Sequence, residues 1–110
     1  MTADVLAITT IPKLIESVTR VTVELSASLQ ITDAEGAGDN MLTAPLVVVG
    51  VDQAEKLATS MAPLRGRVVM VTDDGSSHFM HAVTIGAQMV IPLPAGEPTL
   101  RGYLSALARA

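Results

Sequence analysis

The chain has 110 residues, a formal net charge of −4, 49% hydrophobic residues and 16% charged ones. This length corresponds to one domain. The hydrophobic fraction is high enough to form a core, and the charged fraction is too low to predict a disordered tail. Seven Lys and Arg residues, one Tyr, one Phe and no Trp exclude the basic face and the stacking platform that nucleic-acid binding needs. Cys is absent and no apolar run reaches the roughly 18–20 residues of a membrane span, so we expect a cytoplasmic protein without direct membrane insertion.

The first part of the chain predicts a strand, a helix, a second strand and a loop. The apolar run Val5–Thr9 predicts a strand, and Thr10 is the expected cap of a helix whose apolar residues recur at helical spacing: Leu14, Val18, Val21 and Leu25. Ser28–Thr32 alternates and predicts an edge strand. Residues 33–45 predict a loop, or one ragged helical turn near Met41–Leu42.

Two later runs are apolar throughout, which is typical of strands buried on both faces: Leu46–Val51 and Val68–Thr72. After the first of them, Asp52 and Glu55 resemble a capping box and predict a helix over Gln53–Met61.

The last part of the chain predicts a helix, a strand and a helix. Asp73–Asp74 caps a predicted helix that carries Phe79, Met80, Val83 and Ile85. Met89–Ile91 predicts the fifth strand. Pro98 lies in the first turn of a last helix, with one apolar stripe formed by Leu100, Tyr103, Leu104 and Leu107.

Five strand–helix units predict an α/β fold with three layers. The expected architecture is a doubly wound, five-stranded parallel sheet of order 2-1-3-4-5, flavodoxin-like, with the second helix short or replaced by a loop. Strands 1, 3 and 4 are central in that order. Ligands of such sheets bind beyond the carboxyl ends of the strands, where strands 1 and 3 diverge.

The second half of the chain resembles the receiver domains of response regulators. The runs VVMVTDDG (68–75) and GAQMVIPLP (86–94) are similar to their fourth and fifth strands. Thr72 matches their switch Thr or Ser, Gly86–Ala87 matches the pair before the fifth strand, and Pro94 matches the Pro of their Lys-Pro pair.

The resemblance also implies that the phosphorylation site is degenerate. Where receivers have an acidic pair that holds Mg²⁺, this chain has Thr9 and Thr10, and where they have a Lys it has Leu93. Gly50 aligns with the phosphoacceptor Asp, and Asp52 reaches that role only by a two-residue shift. Without these groups neither metal nor phosphoryl group is held, so we expect no metal and no cofactor. The vestigial pocket comprises Thr9, Thr10, Gly50, Asp52, Thr72 and Leu93.

A closer resemblance is to the degenerate receiver (pseudo-receiver) at the N-terminus of septum site-determining proteins, a CpaE-like branch of the MinD/ParA ATPases. It rests on LVVVGVDQA (46–54) and RGRVVMVTDD (65–74). An ATPase domain follows in that family, and no P-loop motif occurs here. The resemblance implies that residues 1–110 are the isolated N-terminal domain of a longer ATPase, recruited to the septum or membrane through partners.

The function implied is a non-enzymatic interaction module that regulates or localises the attached ATPase in septum placement or in pilus or secretion assembly. The expected surface for a protein partner or a homodimer is the face of helix 4, strand 5 and helix 5, with Thr84, Gln88, Met89, Arg101, Ser105 and Arg109. One alternative is a small-molecule sensor at the strand 1/strand 3 crevice, and a lesser one is a true phosphoreceiver that uses Asp52. Asp73–Asp74, His78 and His81 permit a cation site, but capping and a surface His pair are the expected roles.

Overall fold

The computed structural model describes residues 4–37, 45–53, 56, 68–72, 89–93 and 95–109. Within these ranges the strands are β1 (Val5–Ile8), β2 (Leu29–Thr32), β3 (Leu46–Gly50), β4 (Val68–Thr72) and β5 (Val90–Pro92). The helices are α1 (Pro12–Glu24), the single turn α2 (Ala34–Ala37) and α3 (Glu97–Arg109). Residues 51–53 and 56 are also helical. The helix predicted after β4, with Asp73–Asp74 and Phe79–Ile85, lies outside the described residues.

All five strands form one parallel sheet in the order β2-β1-β3-β4-β5. This confirms the predicted doubly wound topology, with β1, β3 and β4 central and β2 at one edge. β3 and β4 are buried along their whole length, as their continuous apolar sequences predict, whereas every residue of β2 retains some exposure.

The core on one face of the sheet lies beneath α1 and α3. Leu14, Val18 and Val21 of α1 are fully buried, and Leu100 and Leu104 of α3 pack into the same cluster with Tyr103 against it. These positions recur every three or four residues, so the predicted stripes of both helices are confirmed for the side chains described. No helix in the described ranges has the length and apolar content to cross a bilayer.

Two ion pairs join α1 to α3 at the surface of this layer. The Arg20 Nη1 lies 2.6 Å from Glu97 Oε2, and its Nη2 also lies 3.1 Å from Glu16 one turn earlier. Arg101 donates through both Nε and Nη2 to Glu24 Oε2, at 2.8 and 2.7 Å. The carboxylate of Glu97 is 10% exposed, so its pair with Arg20 is the more desolvated of the two contacts.

Helix α1 ends in a Schellman motif with serine at its left-handed position. Ser26 has φ +55°, and its N–H donates to the Val23 carbonyl at 3.2 Å. The next N–H, of Ala27, donates to the Thr22 carbonyl at 2.9 Å. Both bonds satisfy carbonyls that the helix end would otherwise leave unpaired, in the position that most often carries Gly.

The start of α1 differs from the prediction. The N-cap is Ile11, whose side chain makes no cap hydrogen bond, and Pro12 is the first helical residue. Pro12 has no backbone N–H, so the first turn of the helix has one donor fewer that needs a hydrogen-bond partner. The prediction that Thr10 caps α1 is therefore wrong, because its hydroxyl bonds elsewhere.

The turn after β2 also differs in detail. Asp33 Oδ1 accepts a hydrogen bond of 2.8 Å from the Gly36 N–H and caps α2. A short second helix is thus present, but it begins directly after β2 instead of near Met41–Leu42, which lies outside the described residues.

Candidate functional site

The polar side chains at the carboxyl edge of the sheet meet where β1 and β3 end. Thr9 and Thr10 follow β1, Gly50 is the last residue of β3, and Asp52 comes two residues later. Parallel strands β1 and β3 are neighbours, so these four residues come together across about 40 residues of sequence. The structure thereby assembles four of the six residues predicted for the vestigial pocket.

Asp52 accepts four hydrogen bonds at this edge of the sheet. Its Oδ1 accepts from the Thr9 hydroxyl at 2.7 Å, and its Oδ2 accepts from the Thr10 N–H at 2.8 Å and the Thr10 hydroxyl at 2.9 Å. The Gln53 amide donates to Oδ2 at 3.1 Å. We call Asp52 with these donors from Thr9, Thr10 and Gln53 the Asp52 cluster.

These contacts correct the role that the sequence indicated for Asp52. Residues 51–53 are already helical, so Asp52 lies inside the first turn and is not the N-cap of a helix over Gln53–Met61. The predicted N-cap role of Asp52 is wrong because β3 passes into the helix directly after Gly50. Glu55 of the predicted capping box and residues 57–61 of the predicted helix lie outside the described residues. The Asp52 carboxylate is left pointing at the β1–α1 connection.

Burial and hydrogen bonding act on the Asp52 carboxylate in opposite directions. Partial burial by itself raises its pKa, since it disfavours the charged form. The Thr10 N–H, the Thr9 hydroxyl, the Gln53 amide and the Thr10 hydroxyl all favour the charged form, and together they hold the pKa below its usual value. Asp52 is therefore an ionised acceptor at neutral pH.

Gly50 lies where any side chain would collide with the Asp52 cluster. A Cβ built at this position would fall closer than van der Waals contact to the Thr9 Oγ1, the Thr9 Cβ (2.5 Å) and the Asp52 Oδ1. Real Cβ atoms do not approach heavy atoms this closely. The structure has no room for a carboxylate side chain at Gly50, the position that the resemblance would align with the receiver phosphoacceptor.

The other two residues of the predicted pocket lie along β4 and β5. Thr72 ends β4 and is buried, and its carbonyl accepts a 2.8 Å hydrogen bond from the Leu93 N–H. The Leu93 side chain is 3% exposed and belongs to the apolar core. A core leucine therefore stands where the resemblance would place a cation.

The predicted partner face is described only in part. Met89 is 40% exposed and Ser105 is half-buried, whereas the Arg101 guanidinium is bonded to Glu24 of α1. Arg101 is thus turned toward α1. Thr84 and Gln88 lie outside the described residues, as does the side chain of Arg109.

Gln53 is the member of the Asp52 cluster that the sequence did not indicate. It is 5% exposed, and an amide directly after an Asp carries no periodic signal that would mark it. In the part of the chain that the structure describes, no three His, Asp or Glu residues come close enough to hold a metal ion. Among the described residues where β1 and β3 end, the chemistry on offer is the ionised carboxylate of Asp52, whose hydrogen-bond donors are already in place.

Comparisons with known proteins agree with this architecture. A family model described as the Rv3660c-like, CheY-like N-terminal domain matches residues 8–110. A comparison with curated proteins finds no significant match.

Three solved response-regulator structures share the fold. An atypical orphan response regulator, described as having a phosphorylation-independent regulatory mechanism, superposes with a TM-score of 0.61 at 20% identity, covering 96% of this chain and 94% of its own. A response regulator from Hahella chejuensis gives a TM-score of 0.60 at 17% identity, and RPA3017 from R. palustris, of red-light signalling, gives 0.54 at 16%. Each of these two comparisons covers 94% of this chain and 89% of the other.

The family match spans nearly the whole chain, and the strand order is that of the superposed response regulators. The chain therefore belongs to the family of Rv3660c-like, CheY-like N-terminal domains and is a receiver-like domain.

Proposed function

We propose that this receiver-like domain is a non-catalytic module for protein–protein interaction that does not accept a phosphoryl group. The observation that carries the proposal is the packing around Gly50, where a side chain of any size would meet Thr9 and Asp52. The site carries the functional inference, because one fold supports many activities.

The electrostatics of the same edge support this reading. Phosphoryl transfer depends on positioned cations that neutralise the charge of the transferring group. In this chain the positions of the acidic pair are Thr9 and Thr10, and the position of the cation is the buried Leu93. The Asp52 carboxylate at this edge already accepts four hydrogen bonds.

We propose further that residues 1–110 regulate or localise a MinD/ParA-type ATPase domain attached to them in the full-length protein. The support is the resemblance of residues 46–54 and 65–74 to the receivers of septum site-determining, CpaE-like proteins. In this role the domain acts in septum placement or in pilus or secretion assembly, through the face that includes Met89 and Ser105.

Two measurements test whether the site is inert. In the first, the ¹⁵N-labelled domain is incubated with Mg²⁺ and acetyl phosphate, and its mass is measured by mass spectrometry. In the second, the domain is titrated with Mg²⁺ and beryllofluoride, and its amide chemical shifts are followed by NMR. A receiver that is phosphorylated under the same conditions serves as the positive control. We expect no added mass and no shifts at Thr9, Gly50, Asp52 or Thr72. Stoichiometric phosphorylation that disappears in Asp52→Asn would restore the phosphoreceiver interpretation.

The ATPase proposal has a separate test. The full-length protein and a version lacking residues 1–110 are compared for ATP hydrolysis and for position in the cell. We expect the shortened protein to hydrolyse ATP but to lose its localisation or the control of its rate. A downstream sequence without a P-loop would overturn this part and leave the phosphorylation result unaffected.

A further inference from the structure

The crevice between the ends of β1 and β3 contains a side chain of the protein's own. Sheets of this strand order bind their ligands at this point, beyond the carboxyl ends of the two strands. Here the Asp52 carboxylate lies in the crevice and accepts from the Thr9 hydroxyl, the Thr10 N–H and the Thr10 hydroxyl, at 2.7, 2.8 and 2.9 Å. These lengths are typical of hydrogen bonds to an ionised group.

The donors that follow β1 are also fixed by contacts other than Asp52. The Thr9 N–H donates to the Thr32 carbonyl at 3.0 Å, which ties this backbone to β2. The Thr9 hydroxyl accepts from the Ile11 N–H at 3.2 Å, and its single proton is therefore directed at Asp52 Oδ1. The local backbone thus orients these donors toward the position of the carboxylate.

Gly50 provides the space that the carboxylate fills. A Cβ at this position would collide with both Asp52 Oδ1 and the Thr9 hydroxyl. Thr10 is exposed and Asp52 is partly exposed, so the crevice opens to solvent on one side. The glycine forms its floor, and hydrogen-bond donors form its walls.

The crevice favours a negative charge. Partial burial raises the pKa of Asp52, yet the hydrogen bonds from Thr10, Thr9 and Gln53 hold that pKa below its usual value. N–H and O–H donors that converge on one point stabilise an anion there without a metal or a basic side chain. The chemistry of the crevice therefore fits a small anion.

We propose that this crevice is an anion-binding site that the chain fills with its own Asp52 carboxylate, so that a free anion enters only when that carboxylate is removed. The ligand class is a small planar carboxylate, and formate matches the group that Asp52→Ala deletes. The proposal rests on the proposed function in one respect, that the crevice holds no phosphoryl group. A carboxylate tethered beside its donors has a high effective concentration, which keeps free anions out of the wild-type chain.

A titration of Asp52→Ala with formate, followed by amide NMR at pH 7 and constant ionic strength, tests this proposal. We expect a saturable shift that moves the Thr10 amide resonance back toward its wild-type position. Half-saturation should fall between about 1 and 100 mM, because a ligand of three heavy atoms binds weakly. The wild type and Asp52→Asn are the matched controls. Their side chains still fill the crevice, and neither should show the saturable shift.

A second substitution tests whether formate binds within the Asp52 cluster. Thr10→Val in the Asp52→Ala background removes one hydroxyl donor and keeps the side-chain shape and the backbone N–H. It should weaken formate binding by about tenfold, the effect of losing a hydrogen bond to a charged group. Thr99→Val in the same background changes an exposed Thr of α3 and should leave formate binding unchanged. Equal effects of the two substitutions would overturn the assignment of the site.

Urea unfolding keeps the test decisive if Asp52→Ala folds poorly. A ligand that binds only the folded chain stabilises it, and formate at ten times its Kd should raise the folded-to-unfolded ratio of Asp52→Ala by about elevenfold. Wild type and Asp52→Asn correct for general effects of formate on stability. Equal stabilisation of all three chains overturns the proposal, as does the absence of a saturable Thr10 shift up to about 0.2 M formate. Both results leave the acetyl phosphate experiment unaffected, so the two proposals fail separately.

Discussion

Gly50 gives the sharpest test at the scale of one residue, because the same substitution has opposite effects at two glycines. Gly50→Ala should destabilise the domain by about 1–3 kcal/mol, the usual cost of overpacking, since its Cβ meets Thr9 and Asp52. Gly102→Ala should stabilise it by about 0.5–1 kcal/mol, since a Cβ at this helical position meets nothing within 4 Å. Urea unfolding at neutral pH measures both, and equal effects of the two changes would contradict this account of Gly50.

Asp52 gives a prediction about pH. Because its pKa is lower in the folded chain than in the unfolded one, ionised Asp52 contributes stability that is present above the unfolded pKa of about 3.9 and is lost as pH falls through the folded pKa. Asp52→Asn should cost about 1–3 kcal/mol at pH 7, through the loss of hydrogen bonds to a charged group.

The difference in stability between the wild type and Asp52→Asn should stay flat between about pH 5 and 8 and shrink below about pH 4. Urea midpoints measured across this range check it. Glu35→Gln removes the same charge from an exposed position and serves as the control. A difference that did not change with pH would show that the carboxylate charge plays no part.

At the scale of the element, the end of α1 carries a strained residue. Ser26 holds a φ of +55°, which costs about 1 kcal/mol for a residue with a Cβ. Ser26→Gly should keep both Schellman hydrogen bonds and raise stability by about 0.5–1 kcal/mol, which thermal unfolding detects as an increase of a few degrees. Ser26→Ala keeps the strain and should give no increase.

The ion pairs between α1 and α3 should differ in strength. Arg20→Ala leaves Glu97, 10% exposed, without its cation, and should cost about 1–3 kcal/mol. Arg101→Ala breaks a pair whose two side chains are 37% and 45% exposed, and should cost about 1 kcal/mol or less. Denaturation in low and high NaCl checks this order, and salt should reduce the Arg101 effect proportionally more.

For the whole molecule, burial predicts the order in which the sheet opens. Val48 and Val69 lie in central strands and are fully buried, so their amides should exchange only through global unfolding. Gln30, in the edge strand, should exchange through smaller openings. Hydrogen exchange in increasing urea, on dilute protein, measures this. The urea dependence for Val48 should match that of global unfolding, and an equal dependence for Gln30 would contradict the prediction.

The fold was predictable from the sequence because its signals are local. Val68–Thr72 is an uninterrupted apolar run and matches β4 residue for residue, and the alternation of strands and helices fixes a parallel sheet with few orders to choose from. The exceptions are short. α2 has four residues, too few for any periodicity, so only its cap Asp33 carried a signal.

The Asp52 cluster was predictable only as a location. The rule that parallel strands place their carboxyl ends together brought Thr9, Thr10 and Asp52 into one group. Their hydrogen bonds were not predictable. Thr10 and Asp52 are both residue types that commonly cap the helix next to them, whereas the contact between them spans 42 residues. Instead of capping their own helices, the two side chains form a long-range hydrogen bond with each other.

The packing around Gly50 and Leu93 also bears on evolutionary reversibility. A carboxylate at position 50 has no space, an acid in place of Thr9 would face the Asp52 carboxylate, and a Lys in place of Leu93 would bury an unpaired ammonium. Each change alone lowers stability and adds no phosphoryl chemistry, since the groups act only together. Under the proposed function, each single step toward a phosphorylation site would therefore lower stability before any activity was gained.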